Sequence, residues 1–126
     1  MSKKNLALIG IGYWGKVHFK YLLKNKSVLL KKIFYRKNFY NLKKFSNIKN
    51  IATKNMRDIL NDKFIKYVDI VTPIETHAPL AIKFLKKNKN VLVEKPLIMN
   101  KKQEKEISSL AITTFHSKQA MWTLLS

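Results

Sequence analysis

Apolar and polar positions follow two rhythms along this chain. Leu6-Ala7-Leu8-Ile9 is an unbroken apolar run, as in a strand buried on both faces of a parallel sheet. Trp14, Val17, His18, Tyr21 and Leu22 then recur at the i, i+3, i+4, i+7, i+8 spacing of one helix face. That pattern predicts a helix ending near Asn25, with His18 packed on its inner stripe. Val28 to Tyr35 reads as a second strand. Asn38 to Asn50 is basic and irregular, a short helix and a loop. Ile48 to Thr53 is expected to hold a short third strand. Met56 to Leu60 reads as a short helix, with Asp62 to Tyr67 as its exit. Asp69 to Thr72 is a fourth strand stopped by Pro73, with Asp69 a structural residue at its start. Thr76 is placed to cap the next helix, with Pro79 in its first turn. Ala78, Ala81, Ile82 and Leu85 form that helix's apolar stripe. Asn90 to Val93 is a fifth strand. Asn100, with Gln103 three residues on, reads as a capping box opening a last helix whose inner face is Ile107, Leu110 and Ala111. Such alternation of strands and helices implies right-handed crossovers in a parallel sheet. The fold class is therefore α/β, a doubly wound parallel sheet of about five strands over residues 1–111. Residues 112–126 lack a glycine stop and read as an atypical C-terminal tail. His116 within it is not a catalytic candidate.

The turn between the first strand and helix contains all three glycines of the chain, in Gly10-x-Gly12-x-x-Gly15. Glycines used as general loop filler would be scattered. Strand, glycine turn and helix in that order form a dinucleotide-binding arrangement. Gly10 lets the chain reverse at the strand end. Gly12 lets bare backbone approach a pyrophosphate, and Gly15 lets the helix sit close to the strand. The phosphates would lie on the helix N-terminus, where free N–H groups and the dipole favour negative charge. An acidic residue some twenty positions on usually accepts from the adenosine ribose hydroxyls. Here the second strand ends in Tyr35-Arg36-Lys37, and the first acidic residue of the chain is Asp58. A guanidinium at that place suits a 2′-phosphate, so Arg36 tilts the cofactor from NAD towards NADP.

Composition narrows the picture in three ways. A chain of 126 residues with 46% hydrophobic content is one domain with a real core, and it is not disordered. The lack of cysteine excludes disulfides, thiolate metal sites and a cysteine nucleophile, and suits a cytoplasmic location. Lys3 and Lys4 precede an apolar stretch, but its glycines and missing cleavage pattern argue against a secretory signal. No apolar run is long enough to span a bilayer. The net charge of +19 would ordinarily suggest nucleic acid. However, of 26 basic residues only Arg36 and Arg57 are arginine, and the lysines are dispersed among many Asn and Ile. That make-up reads as coding bias on solvated faces rather than a specific nucleic-acid surface, although it would attract anionic ligands.

Two further stretches carry candidate chemistry. Thr72-Pro73-Ile74-Glu75-Thr76-His77 follows the fourth strand, on the face where open α/β sheets bind ligands. Glu94-Lys95-Pro96 follows the fifth strand directly and places two charges at a strand end. Together, Gly10-x-Gly12-Tyr13-Trp14-Gly15, Thr72-Pro73 with His77, and Glu94-Lys95-Pro96-Leu97 resemble the N-terminal, nucleotide-binding half of the Gfo/Idh/MocA oxidoreductases. The resemblance runs from about Lys4 to Ala111 and implies a Rossmann-like fold. It implies an NAD(P)-dependent dehydrogenase or reductase acting on sugars, cyclitols or sugar nucleotides. It also implies that Gly10, Gly12, Tyr13, Trp14, Gly15, Thr72, Pro73, His77 and Glu94 border the cofactor, beside Arg36, which stands where the usual ribose-binding acid is missing. Lys95 would be the catalytic residue, its ammonium polarising a hydroxyl or carbonyl oxygen during hydride transfer. No metal is implied.

Members of that family carry a second domain with most of the substrate pocket and a catalytic His or Asp partner. The present chain reads as the cofactor-binding half without that domain, so little turnover is expected from it alone. Two other readings stay open: a non-catalytic truncated remnant, and a basic nucleic-acid-binding protein.

Overall fold

A computed structural model describes residues 3–37, 48–94, 100–109 and 113–115. Along the chain these form β1 (Lys4–Ile9), α1 (Tyr13–Lys24), β2 (Val28–Phe34), β3 (Ala52–Thr53) and α2 (Arg57–Leu60). Then come β4 (Tyr67–Ile70), α3 (His77–Lys86), β5 (Asn90–Glu94), α4 (Lys101–Ser108) and β6 (Thr113–Phe115). All paired strands are parallel, in the order β3-β2-β1-β4-β5-β6. The chain steps outward from β1 to β3, returns to the other side of β1 as β4, and steps outward again. That reversal leaves a switch point between β1 and β4, where no crossover helix covers the strand ends.

The unbroken apolar run in β1 is explained by two cores. Leu6 and Leu8 pack with Phe19, Tyr21 and Leu22 of α1 on one face. Ala7 and Ile9 pack with Ala78, Ala81 and Phe84 of α3 on the other. A parallel central strand has no solvent face, so polar alternation is absent. In β2 the pattern is less direct. Leu6 pairs with Leu30 but Ala7 with Lys32, so Lys31 is an extra residue. This bulge puts Leu30 and Ile33 on the same face, which strict alternation would forbid.

Several boundaries differ from those read in the sequence, each for an identifiable reason. β3 is only Ala52–Thr53, because Ile48 to Ile51 closes a turn through Ile51 N–H to Ile48 O. β4 starts two residues early and ends at Ile70, which places Asp69 inside the strand rather than at its start. Trp14 leaves the inner stripe of α1 and is 63% exposed; the buried stripe starts at Gly15 instead, since only a residue without a side chain fits there. Thr76 makes no side-chain cap, because a 3-10 turn over Ile74–Thr76 feeds α3 and uses its hydroxyl. Asn100 does cap α4, accepting from Gln103 N–H at 2.9 Å. Beyond the boundary expected after Ala111, β6 joins the sheet in register with Leu92 to Glu94, giving six strands rather than five. Segment 38–47, Leu110 and Ala111 lie outside the described residues.

Lys89, between α3 and β5, is buried, and its ammonium donates to Asp62 O at 2.9 Å and Ile65 O at 2.7 Å. It thereby ties the α2–β4 connection to the start of β5. Burial pushes the ammonium below the usual lysine value, with Lys66 and Lys87 adding to the effect and Asp62 opposing it. The unfolded chain therefore keeps the extra proton in the interval just below 10.5, so this site contributes increasing stability as pH rises through it. In urea unfolding from neutral pH to about pH 10, wild type should gain stability relative to Lys89→Met. A difference that stays constant with pH would show that the buried charge carries no penalty.

Candidate functional site

Three segments meet at the carboxyl ends of the strands around the switch point. They are the glycine loop between β1 and α1, the end of β2 at Tyr35 to Lys37, and the loop from Thr72 to His77 after β4.

The glycine loop is shaped by what cannot fit in it. Gly10 has φ +107°, and a Cβ there would run into the Val71 carbonyl. A Cβ at Gly15 would run into the carbonyl of Gly10. So α1 sits on the loop backbone, and the loop sits on the end of β4. Gly12 differs, since a Cβ there would meet nothing within 4 Å. The first bond within α1 runs from Lys16 N–H to Gly12 O at 3.0 Å. The N–H groups of Tyr13, Trp14 and Gly15 therefore have no partner within the helix. No acidic residue occupies the first turn. Open space, backbone donors and a positive dipole end together fit a pyrophosphate. Tyr13 is 76% exposed at the mouth of this loop and meets Trp14 edge to face, with ring centroids 5.2 Å apart.

The position of α1 has a second anchor. His18 Nδ1 donates to Asp69 Oδ2 at 2.6 Å, with the two residues 8% and 2% exposed. A carboxylate oxygen only accepts, so Nδ1 carries the proton. This pair joins α1 to β4 directly across the switch point. The sequence hinted at it only as two polar residues, each among apolar neighbours.

The loop from Thr72 to His77 is bonded to itself. Thr76 Oγ1 donates to Pro73 O at 2.6 Å. A hydroxyl has one proton, so in the 2.6 Å contact between Thr72 Oγ1 and Thr76 Oγ1 the donor is Thr72. His77 opens α3 and is only 3% exposed. Its Nε2 donates to Thr72 O at 2.9 Å. The imidazole thus braces the loop from behind, and Thr72 and Pro73 form its outer part beside Gly10.

At the β2 end, Arg36 and Lys37 are exposed. Asp58, the first acidic residue, accepts from Thr53 Oγ1 at 2.6 Å. Glu94 ends β5, where its backbone pairs with Phe115. Lys95 and Pro96 lie outside the described residues. Among the described residues no group of three His, Asp or Glu could hold a metal, and no helix is long and apolar enough to cross a membrane.

Comparisons with known proteins agree with this geometry. The Gfo/Idh/MocA profile, described as an oxidoreductase family with an NAD-binding Rossmann fold, matches residues 4–118. The uncharacterised oxidoreductase YhhX of Escherichia coli is 39% identical over 59 residues, which is 47% of this chain and 17% of that protein. A crystal structure of a probable oxidoreductase yhhX superposes with TM-score 0.74 at 30% identity, covering 88% of this chain and 35% of that one. Myo-inositol 2-dehydrogenase from Lactobacillus plantarum gives TM-score 0.78 at 22% identity over 90% of this chain and 36% of that one. GenD2 from gentamicin A biosynthesis, crystallised in complex with NAD, gives 0.77 at 24% over 90% and 34%. This chain thus spans about a third of the length of these solved structures.

The glycines should separate stability from binding. Gly10→Ala and Gly15→Ala should each cost about 3 kcal/mol in denaturant unfolding, through overpacking against backbone. Gly12→Asp should stay within about 1 kcal/mol of wild type, since Asp is a good N-cap and the space is open. Dinucleotide binding should nevertheless be lost, because the carboxylate occupies the phosphate position. For the buried pair, Asp69→Ala should cost about 3 kcal/mol by orphaning the imidazole. Combining it with His18→Leu should recover most of that loss, and additive losses in the double variant would refute the coupling.

Proposed function

The chain belongs to the Gfo/Idh/MocA oxidoreductase family with an NAD-binding Rossmann fold, and from that premise we propose that it binds NADP(H) in preference to NAD(H) at the switch point. The observation that carries this reading is the meeting of Gly12's open backbone, the α1 N-terminus and the braced Thr72–His77 loop in one crevice. GenD2, crystallised with NAD, shares the fold. The preference for the 2′-phosphate is supported by Arg36 and Lys37 at the β2 end, and by Asp58 being engaged with Thr53.

In this reading the pyrophosphate lies on the N–H groups of Tyr13 to Gly15. Gly12 leaves room for it, and Gly10 and Gly15 hold the loop to β4 and α1. Thr72 and Pro73 border the cofactor, with His77 behind them fixing their backbone, and Tyr13 and Trp14 shield the loop mouth from water. The bound nicotinamide supplies hydride transfer. The chain's own candidate for handling the proton is Lys95, whose ammonium would polarise a hydroxyl or carbonyl oxygen, with Glu94 beside it. The substrate class we propose is a sugar or cyclitol, in keeping with the family resemblance and with the name of the Lactobacillus plantarum structure. The reaction takes place in the cytoplasm. These 126 residues carry one candidate group for the chemistry, so cofactor binding with little turnover is their expected behaviour.

Calorimetric titration with NADPH and with NADH, in moderate salt to suppress non-specific anion binding, tests the reading. Saturable NADPH binding is expected, absent in Gly12→Asp. Arg36→Ala should weaken NADPH about tenfold, the worth of one charge-assisted contact, and leave NADH within about twofold. No binding of either dinucleotide by folded protein would overturn the proposal. Sugar-dependent reduction of NADP by the purified chain would overturn the expectation of little turnover.

A further inference from the structure

The edge of the sheet beside Arg36 holds another cation that the function so far does not use. β3 lies next to β2 in parallel register, with Phe34 opposite Thr53 and Tyr35 N–H donating to Thr53 O at 3.1 Å. Lys54 is the first residue after β3, so it emerges at the same end of the sheet as Arg36 and Lys37. Adjacent strands are only about 4.8 Å apart, well within reach of a lysine side chain. Its Nζ lies 5.6 Å from the centroid of the Tyr35 ring, in cation–π range, which draws the ammonium back towards the end of β2.

The backbone carrying Lys54 is held in place. Thr53 Oγ1 donates to Asp58 Oδ2 and accepts from Asn55 N–H at 3.0 Å, and Arg57 N–H donates to Asn55 Oδ1 at 3.0 Å. One of these bonds engages Oδ2 of Asp58, the nearest acidic residue in sequence, and among the described residues Lys54 has no carboxylate within ion-pair distance. Among the described residues the ends of β2 and β3 thus present three exposed cations, Arg36, Lys37 and Lys54, and the nearest carboxylate in sequence, Asp58, is tied to Thr53 through Oδ2. A ligand with bare 2′- and 3′-hydroxyls needs an acceptor there, whereas a phosphate monoester needs donors.

We propose that Lys54 is a specificity-determining residue for the 2′-phosphate of the dinucleotide, acting across the strand gap together with Arg36. This rests on the NADP reading above. Arg36 gives a planar fork and Lys54 a point charge from the side of β3. The Tyr35 ring holds the ammonium near the phosphate position before ligand arrives, which reduces the ordering needed on binding.

The test compares wild type, Lys54→Ala and Lys54→Arg by calorimetry with NADPH, NADH, adenosine 2′,5′-bisphosphate and 5′-AMP at one ionic strength. Lys54 is exposed, so both variants should fold as wild type does. Lys54→Ala should bind NADPH and the 2′,5′-bisphosphate about tenfold more weakly, with NADH and 5′-AMP within about twofold, and Lys54→Arg should restore most of the loss. If wild type prefers NADPH and Lys54→Ala keeps that preference, Lys54 has no such role while the NADP reading stands. Equal loss of NADH and NADPH would make Lys54 a structural prop of the loop and overturn the proposal. If wild type itself does not prefer NADPH, both readings fall together.

Discussion

Two close backbone approaches govern the cofactor edge of this protein: Gly15 against the Gly10 carbonyl, and Gly10 against the Val71 carbonyl. Neither leaves room for a Cβ, so at this point α1 meets the glycine loop, and the loop meets the end of β4, backbone to backbone. This rigid wedge decides where the first turn of α1 points. Because the wedge sits at the reversal of strand order, its free N–H groups open into a crevice that no crossover helix fills. The conformational demand is concentrated at Gly10, with φ +107°. A Cβ at Gly12 would meet no neighbour within 4 Å, so packing does not require its lack of a side chain.

Polar groups inside the fold are placed where each can hold two elements together. The His18–Asp69 pair joins α1 to β4, adding a side-chain link to the backbone wedge beside it. Lys89 caps carbonyls of the α2–β4 connection from the start of β5. His77 and Thr76 close the loop after β4 on itself. In a chain of net charge +19 such buried groups are few among the described residues, where every lysine other than Lys89 is at least partly exposed. Buried charge is costly without partners, so lysines not used structurally go to the surface. That surplus gives the chain a general attraction for anions.

The α/β class, the helix faces and the glycine loop were legible because each depends on local periodicity or on residues close in the chain. β1, β2, β4 and β5 announced themselves as largely apolar runs, whereas β3 was legible only as a short strand somewhere within Ile48 to Thr53. β6 did not, since Thr113-Thr114-Phe115 is short and is ordered by pairing with β5 rather than by its own pattern. Trp14 misled for a related reason: its helical spacing matched the inner stripe, but that stripe begins at Gly15, where α1 touches backbone. The bulge at Lys31 lies beyond any period-two reading, because it realigns Leu30 and Ile33 through the pairing with β1.

The sequence by itself determined the order of elements, the strand, glycine turn and helix at the start of the chain, and the absence of an acid at the end of β2, since these are properties of neighbours along the chain. Tertiary structure alone decided which distant residues share a task. His18 and Asp69 lie 51 positions apart, yet sheet order brings them to 2.6 Å. Lys54 comes to stand over Tyr35 because β3 pairs with β2. His77 turned inward because Thr72, five residues back, offers its carbonyl once the loop has folded. Contacts of this kind arise from the register of parallel strands joined by long crossovers, and no spacing rule along the chain encodes that register.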